Sequence, residues 1–163
     1  MSFNIAALHL AGENNHIEIV NLLLSKVSYL SEPNTFKNCR KLKEVLIPSH
    51  ITTIGEHAFS ECSSLMHVTF HSSLLSIGKW AFRGCSSLTE ITIPTTTEYI
   101  GCYSFKGCSS LKEIQIPSSV TFIGYSVFSC CSSLRSISLP SSIKAIKYST
   151  FDGCSSMKEI IIP

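Results

Sequence analysis

The chain has 163 residues, 44% of them apolar and 15% charged, with a formal net charge of +2. That composition excludes a disordered chain and supplies apolar material for one core of ordinary size. The small charge, with Lys and Arg spread rather than bunched, gives no expectation of nucleic-acid binding, and no apolar run approaches the roughly 20 residues of a membrane span, so no membrane insertion is expected.

The start, Met1-Ser2-Phe3-Asn4, has no basic stretch ahead of an apolar one, and no Asn-x-Ser/Thr acceptor occurs anywhere. With no secretory signal visible, the cytoplasm is the default compartment. Residues 4–26 place apolar side chains at Leu8, Ala11, Ile17, Val20, Leu23 and Leu24, a spacing that predicts two short helices, with Gly12 to Asn15 as the turn between them. The segment Ala6-Ala7-Leu8-His9-Leu10-Ala11, followed by Asn14-Asn15-His16-Ile17-Glu18-Ile19-Val20, resembles one ankyrin repeat, although Ala6-Ala7 stands where that family has Thr-Pro. A single such unit does not fold alone. It is read either as a cap whose polar outer face covers the first apolar cross-section of a repeat stack, or as the remnant of a longer array; Met1 favours the cap. Residues 27–35, with Val27 and Leu30 near inward positions, read as a degenerate half-repeat joining it on, so that 1–35 forms a cap and junction.

From residue 36 the chain repeats. Phe36, Phe59, Phe82, Phe105, Phe128 and Phe151 lie 23 residues apart, and a Cys follows each by three positions, from Cys39 to Cys154. Leu or Met comes three later, then Val or Ile, then a second large apolar residue, and usually a proline; His71 is the exception. An Ile recurs at 54, 77, 100, 123 and 146, with glycine after it except at Lys147. The ending Leu-x-x-Ile-x-Ile alternates with period 2, as a strand with one buried face does, and proline stops it for want of an amide hydrogen. The glycine is expected to supply a backbone conformation closed to other residues. One unit cannot bury its own inward face, so copies must stack, in register, into a parallel sheet with continuous inward columns.

The segment Phe105 to Gly124 (FKGCSSLKEIQIPSSVTFIG) resembles the BspA-type leucine-rich repeat at every signature position, and the likeness covers residues 36–163. It implies a repeat solenoid: a right-handed leucine-rich-repeat coil of five full repeats and a partial sixth, its short parallel strands lining one face. It further implies a recognition or adhesion module, cell-surface in many members, with no catalytic residues to carry over.

The chemistry-bearing residues agree with that implication. The columnar cysteines match no zinc spacing; their side chains point the same way, so reduced buried thiols are expected, with Cys102 and Cys130, outside the column, as the exposed ones. His9, His16, His50, His57, His67 and His71 form no ligand pair, and no metal or cofactor is expected. The only aspartate is Asp152, and no phosphate loop or dinucleotide fingerprint occurs, so no enzyme is expected.

A protein partner is expected on the strand face, where outward residues vary from repeat to repeat. Glu44, His67, Glu90, Glu113, Ser136 and Glu159 form one column; Leu46, Thr69, Thr92, Gln115, Ser138 and Ile161 form the next; Lys112 and Arg135 border them. This face is a flat patch on the order of 500 Å², against about 800 Å² per partner in a standard interface. The aromatic group Trp80, Tyr99, Tyr103, Phe122, Tyr125 and Tyr148 either offers a second surface or packs between turns. Ile160, Ile161 and Ile162 leave an open apolar edge at the end of the sequence, so either the chain is a fragment of a longer array or two copies meet there; end-to-end self-association is the expectation.

Overall fold

The fold comes from a computed structural model that describes residues 2–28, 30–71 and 73–162. Two helices open it, α1 (Ser2–Glu13) and α2 (Ile17–Leu24). Asn15, at φ 57°, turns the chain between them, and Leu8, Ala11, Val20 and Leu24 are buried. The strands, in chain order, are β1 (Glu44–Ile47), β2 (Thr53–Ile54), β3 (His67–Phe70), β4 (Ser76–Ile77), β5 (Tyr99–Ile100), β6 (Glu113–Gln115), β7 (Phe122–Ile123), β8 (Ser136–Ser138) and β9 (Glu159–Ile161).

All pairing is parallel and offset by one repeat. Val45 faces Val68 between β1 and β3, and Ile114, Ile137 and Ile160 align through β6, β8 and β9. A second row runs β2-β4-β5-β7, with Ile54, Ile77, Ile100 and Ile123 in line. A third run holds the turns together: the amides of His57, Phe59 and Glu61 donate to the carbonyls of Lys79, Ala81 and Arg83, and each later coil repeats the pattern. Where all three runs are present, a turn is tied to its neighbour along three stretches of backbone, which satisfies polar groups that burial would otherwise leave costly.

The expected single strand row is interrupted. Glu90 to Ile93 makes no strand pairing, so β1-β3 and β6-β8-β9 are separate sheets. The break follows the repeat whose strand ends in Phe70-His71 in place of an aliphatic residue and proline. Phe70 stands where the other repeats carry Ile or Leu and lies edge-on to Phe82, ring centroids 6.4 Å apart. Beside it the proline turn, closed elsewhere by bonds such as Val120 amide to Pro117 carbonyl, becomes a tighter one in which the Ser73 amide donates to the His71 carbonyl.

The core is a set of columns. The six phenylalanine rings stack face to face with centroids 5.1, 5.3, 5.4, 5.8 and 5.9 Å apart in succession. Phe36, Phe59, Phe82, Phe105 and Phe128 are fully buried, each worth about 1.5–3 kcal/mol of transfer free energy. Beside them the cysteine column is buried too, from Cys39 to Cys154.

The helix pair covers the first coil. A Cβ added at Gly12 would meet the Phe36 ring at 2.8 Å and Cys39 Sγ at 2.9 Å, so α1 lies flush on the ends of both columns. The side-chain oxygens of Asn15 and Asn21 accept the amides of Lys43 and Leu46, which blocks the open edge of β1. Leu30 joins the second row as an isolated parallel bridge to Ile54, and His50 Nε2 donates to the carbonyl of Val27. The outer face of the pair is not the polar one expected of a cap: Leu10, Ile19 and Leu22 are 62%, 48% and 60% exposed.

The glycine expectation needs correcting. Gly55, Gly78, Gly101 and Gly124 are not in the left-handed region; they are small because the preceding coil leaves no room. A Cβ at Gly78 would sit 2.8 Å from the carbonyl carbon of Gly55 and from the Ile54 oxygen. Left-handed residues occupy two other columns. One is Asn38, Glu61, Gly84, Gly107, Cys130 and Gly153; the other runs from Asn34 through His57, Trp80, Tyr103 and Ser126 to Ser149. The last unit, with Lys147 where glycine is needed, forms no second-row strand, and Ile146 is exposed.

Candidate interaction face

Alternation along each strand sends Val45, Val68, Ile91, Ile114 and Ile137 inward and leaves their neighbours outward. The outward residues do not make a flat patch, as expected from strand spacing alone. Two adjoining hollows lie along the face, of about 310 and 710 Å³. His67, Thr69, Glu90 and Thr92 line the first; Glu90, Thr92, Glu113 and Gln115 line the second. The unpaired stretch Glu90–Ile93 runs between them, so the break in the sheet is what hollows the face.

Of the residues expected to meet a partner, nine line the hollows, these six together with Ser136, Ser138 and Ile161. Glu44, Lys112 and Arg135 are exposed but line neither hollow. Sequence reasoning missed Phe70, Pro94, Thr95 and Pro117, which close the trough beyond the strand ends. The departure Phe70-His71 from the usual Ile-Pro was the available signal.

Glu90 and Glu113 are in no ion pair among the described residues; the carboxylates that are belong to Glu61, 2.9 Å from Arg83, and Glu13, 3.4 Å from His9. No three His, Cys, Asp or Glu side chains among the described residues are grouped to hold a metal ion. Nor is any described helix long and apolar enough to cross a membrane.

The thiols of the cysteine column are built for structure. Cys62, Cys85, Cys108, Cys131 and Cys154 donate to the carbonyls of Phe36, Phe59, Phe82, Phe105 and Phe128 in the coil before, at 3.0 to 3.2 Å. Cys39 has no such coil before it, and the His9 carbonyl of α1 takes its thiol at 3.6 Å. Burial pushes the Cys39 and Cys131 thiols up to about 12, and raises Cys62, Cys85 and Cys108 well above the ordinary thiol value. They stay protonated and unreactive. Of the two cysteines outside the column, Cys130 is exposed as expected. Cys102 is not: it is 7% exposed, because Gly124 of the next coil packs directly on its Sγ and backbone.

The aromatic group packs between turns. His57, Trp80, Tyr103, Tyr125 and Tyr148 form one ladder at 4.8 to 5.5 Å, with an edge-to-face step between Tyr103 and Tyr125. Tyr99 and Phe122 stack separately at 4.9 Å on the second row. Desolvation lowers the His57 pKa, helped by the nearby Lys37 and Arg83 and opposed by Glu56.

Residues 30–158 match the family model described as the BspA type leucine rich repeat region, in six copies. Among solved structures, the chain is similar to the leucine-rich repeat protein TpLRR of T. pallidum, at 33% identity and a TM-score of 0.80 over 83% of this chain and 63% of that one. It is also similar to a leucine-rich repeat protein from Bacteroides ovatus, at 32% identity and 0.66, covering 84% of this chain and 41% of that one. The pneumococcal vaccine antigen PcpA shares the fold, at 20% identity and 0.62, over 85% and 40%. The chain thus spans less than two thirds of each of these proteins. No curated protein matches it.

Proposed function

The chain belongs to the BspA-type leucine-rich repeat family, and on that premise we propose that it is a non-enzymatic protein-binding scaffold whose partner seats on the strand face. The observation that carries this reading is the separation of roles. Inward columns repeat Phe, Cys, Leu and Ile, while the outward column changes from Glu44 to His67, Glu90, Glu113, Ser136 and Glu159, and nine of the varied residues gather around one trough. A repeat scaffold recognises by its variable skin and folds by its constant interior. Nothing on that face converges as a nucleophile and base would have to. In this reading the ankyrin-like residues 4–26 serve only as the cap, a role supported by Gly12, Asn15 and Asn21 against the first coil.

The test compares two immobilised forms of the chain as baits in a quantitative pull-down. A partner retained by the intact chain and lost on changing Glu90, Glu113 and Gln115 to Ala, at unchanged melting temperature, supports the face. A partner retained equally by both refutes it. The same scaffold used as a surface adhesin for host matrix proteins is a second reading, favoured by the family resemblance; labelling of surface proteins on intact cells separates the two.

A further inference from the structure

The trough carries an electrostatic sign of its own. On a chain of formal charge +2, its two hollows hold the carboxylates of Glu90 and Glu113 and no Lys or Arg. Neither carboxylate has an internal cation among the described residues. The trough is walled by short polar side chains, Thr69, Thr92 and Gln115 among them, over a floor that includes Ile91 and Ile114.

Its floor has a second property. Among the described residues, the amides and carbonyls from Glu90 to Ile93 carry no backbone hydrogen bond, although the strands before and after are paired. The hollows lie on either side of this stretch, and Glu90, Ile91 and Thr92 line both. A polar backbone group without a partner favours an occupant that brings its own amides and carbonyls. From His67 to Ile161 the trough crosses five coils, four spacings of about 4.8 Å, or roughly 19 Å, the length of about six extended residues.

We propose that the trough binds an extended peptide segment of about six residues carrying arginine, its guanidinium groups seated against Glu90 and Glu113. This rests on the strand-face reading above and adds the class of partner. A guanidinium matches a carboxylate with two parallel hydrogen bonds, and a peptide crossing the coils brings single amides and carbonyls, not a strand ladder, to the open backbone of Glu90–Ile93. Lys112 and Arg135 line neither hollow.

The test is fluorescence anisotropy with three labelled hexapeptides, Thr-Val-Arg-Val-Arg-Thr and its forms with Ala or Glu in place of both arginines. The arginine peptide is expected to bind at least tenfold more tightly than the alanine one, and the glutamate peptide not measurably. Removing the charge by Glu90→Gln or Glu113→Gln should weaken the arginine peptide about tenfold each, as the loss of a charge-assisted hydrogen bond does. Glu98→Gln, outside the trough, should leave it unchanged, and Thr92→Trp, which fills the trough without altering charge, should abolish it. Melting temperatures confirm that each variant folds. Absence of binding by all three peptides overturns the proposal, as does arginine binding no tighter than alanine or indifferent to Glu90 and Glu113. If Thr92→Trp still abolishes that binding, the face survives and only the charge class falls; if it does not, the face falls for these peptides as well.

Discussion

Cys108 donates its thiol hydrogen to the carbonyl of Phe82, 26 residues earlier and one coil back, at 3.2 Å. The same carbonyl accepts the amide of Cys85, also at 3.2 Å, so one oxygen ties its own coil to the next. Five such thiols run through the stack, which gives the column a directional bond that a purely apolar residue of the same size would lack.

A Cys108→Val variant should therefore lose about 1 kcal/mol of unfolding free energy, since the Cys85 amide still satisfies the Phe82 oxygen. Phe105→Ala, which leaves a hole between Phe82 and Phe128, should lose about 3–5 kcal/mol. Urea denaturation of the two variants beside the parent chain measures both. A valine cost as large as the alanine one would contradict the assignment.

Thiol chemistry follows from the same column. In the native state near pH 8, Ellman's reagent should titrate the exposed Cys130 rapidly and the remaining cysteines only on unfolding. The folded thiols of the column titrate above their ordinary value of 9.0, Cys39 and Cys131 at about 12, so the unfolded chain releases these protons first as pH rises. Stability from this source is complete below about pH 9 and falls between about pH 9 and 12. Thermal melts across that window should show a decline that Cys39→Val and Cys131→Val, introduced together, make shallower.

Much of this was legible in the residues because repetition amplifies it: one Phe says little, whereas six at intervals of 23 specify a column. What stayed hidden depends on the neighbouring coil or on backbone with no side-chain signature. Cys102 reads as an exposed variable position until Gly124 is laid on it. Trp80 and Tyr103 hold φ values of 54° and 58°, which their identities do not announce, and the stacking of their rings accompanies that geometry. The second row of strands is only two residues deep per coil, too short for alternation to show. On the interaction face the columns could be read from spacing, but the trough could not, because it arises from Phe70 and the unpaired backbone beyond it.

Two glycines distinguish crowding from backbone conformation. Gly78→Ala places a Cβ 2.8 Å from backbone of the preceding coil, whereas at Gly107, φ 75°, the nearest atom is 3.7 Å away. Gly107→Ala should cost about 1–2 kcal/mol, the left-handed penalty of an L-residue. Gly78→Ala should cost more, because the coils must separate. Equal melting temperatures for the two variants would contradict this.

At the capped edge, Asn21→Ala leaves the Leu46 amide without its acceptor. About 1 kcal/mol of stability should be lost, and hydrogen exchange at Leu46 should accelerate while the amide of Ile137, in the interior of the β8 ladder, keeps its protection. Uniform acceleration throughout would show that Asn21 does not act locally.

Among the described residues β9 pairs with β8 alone, and Ile160, Ile161 and Ile162 are exposed. The proposed end-to-end association predicts concentration-dependent mass in light scattering, removed by Ile161→Lys. A strict monomer at high concentration rules it out.

The shared interior exists only if equivalent side chains one coil apart touch. Selective labelling of the phenylalanine rings and a nuclear Overhauser experiment address this directly, since successive centroids lie 5.1 to 5.9 Å apart. Cross-peaks should link Phe36 to Phe59 and so on to Phe151, with none between rings two coils apart. Absence of the Phe82–Phe105 cross-peak, or a strong one between Phe59 and Phe105, would contradict it.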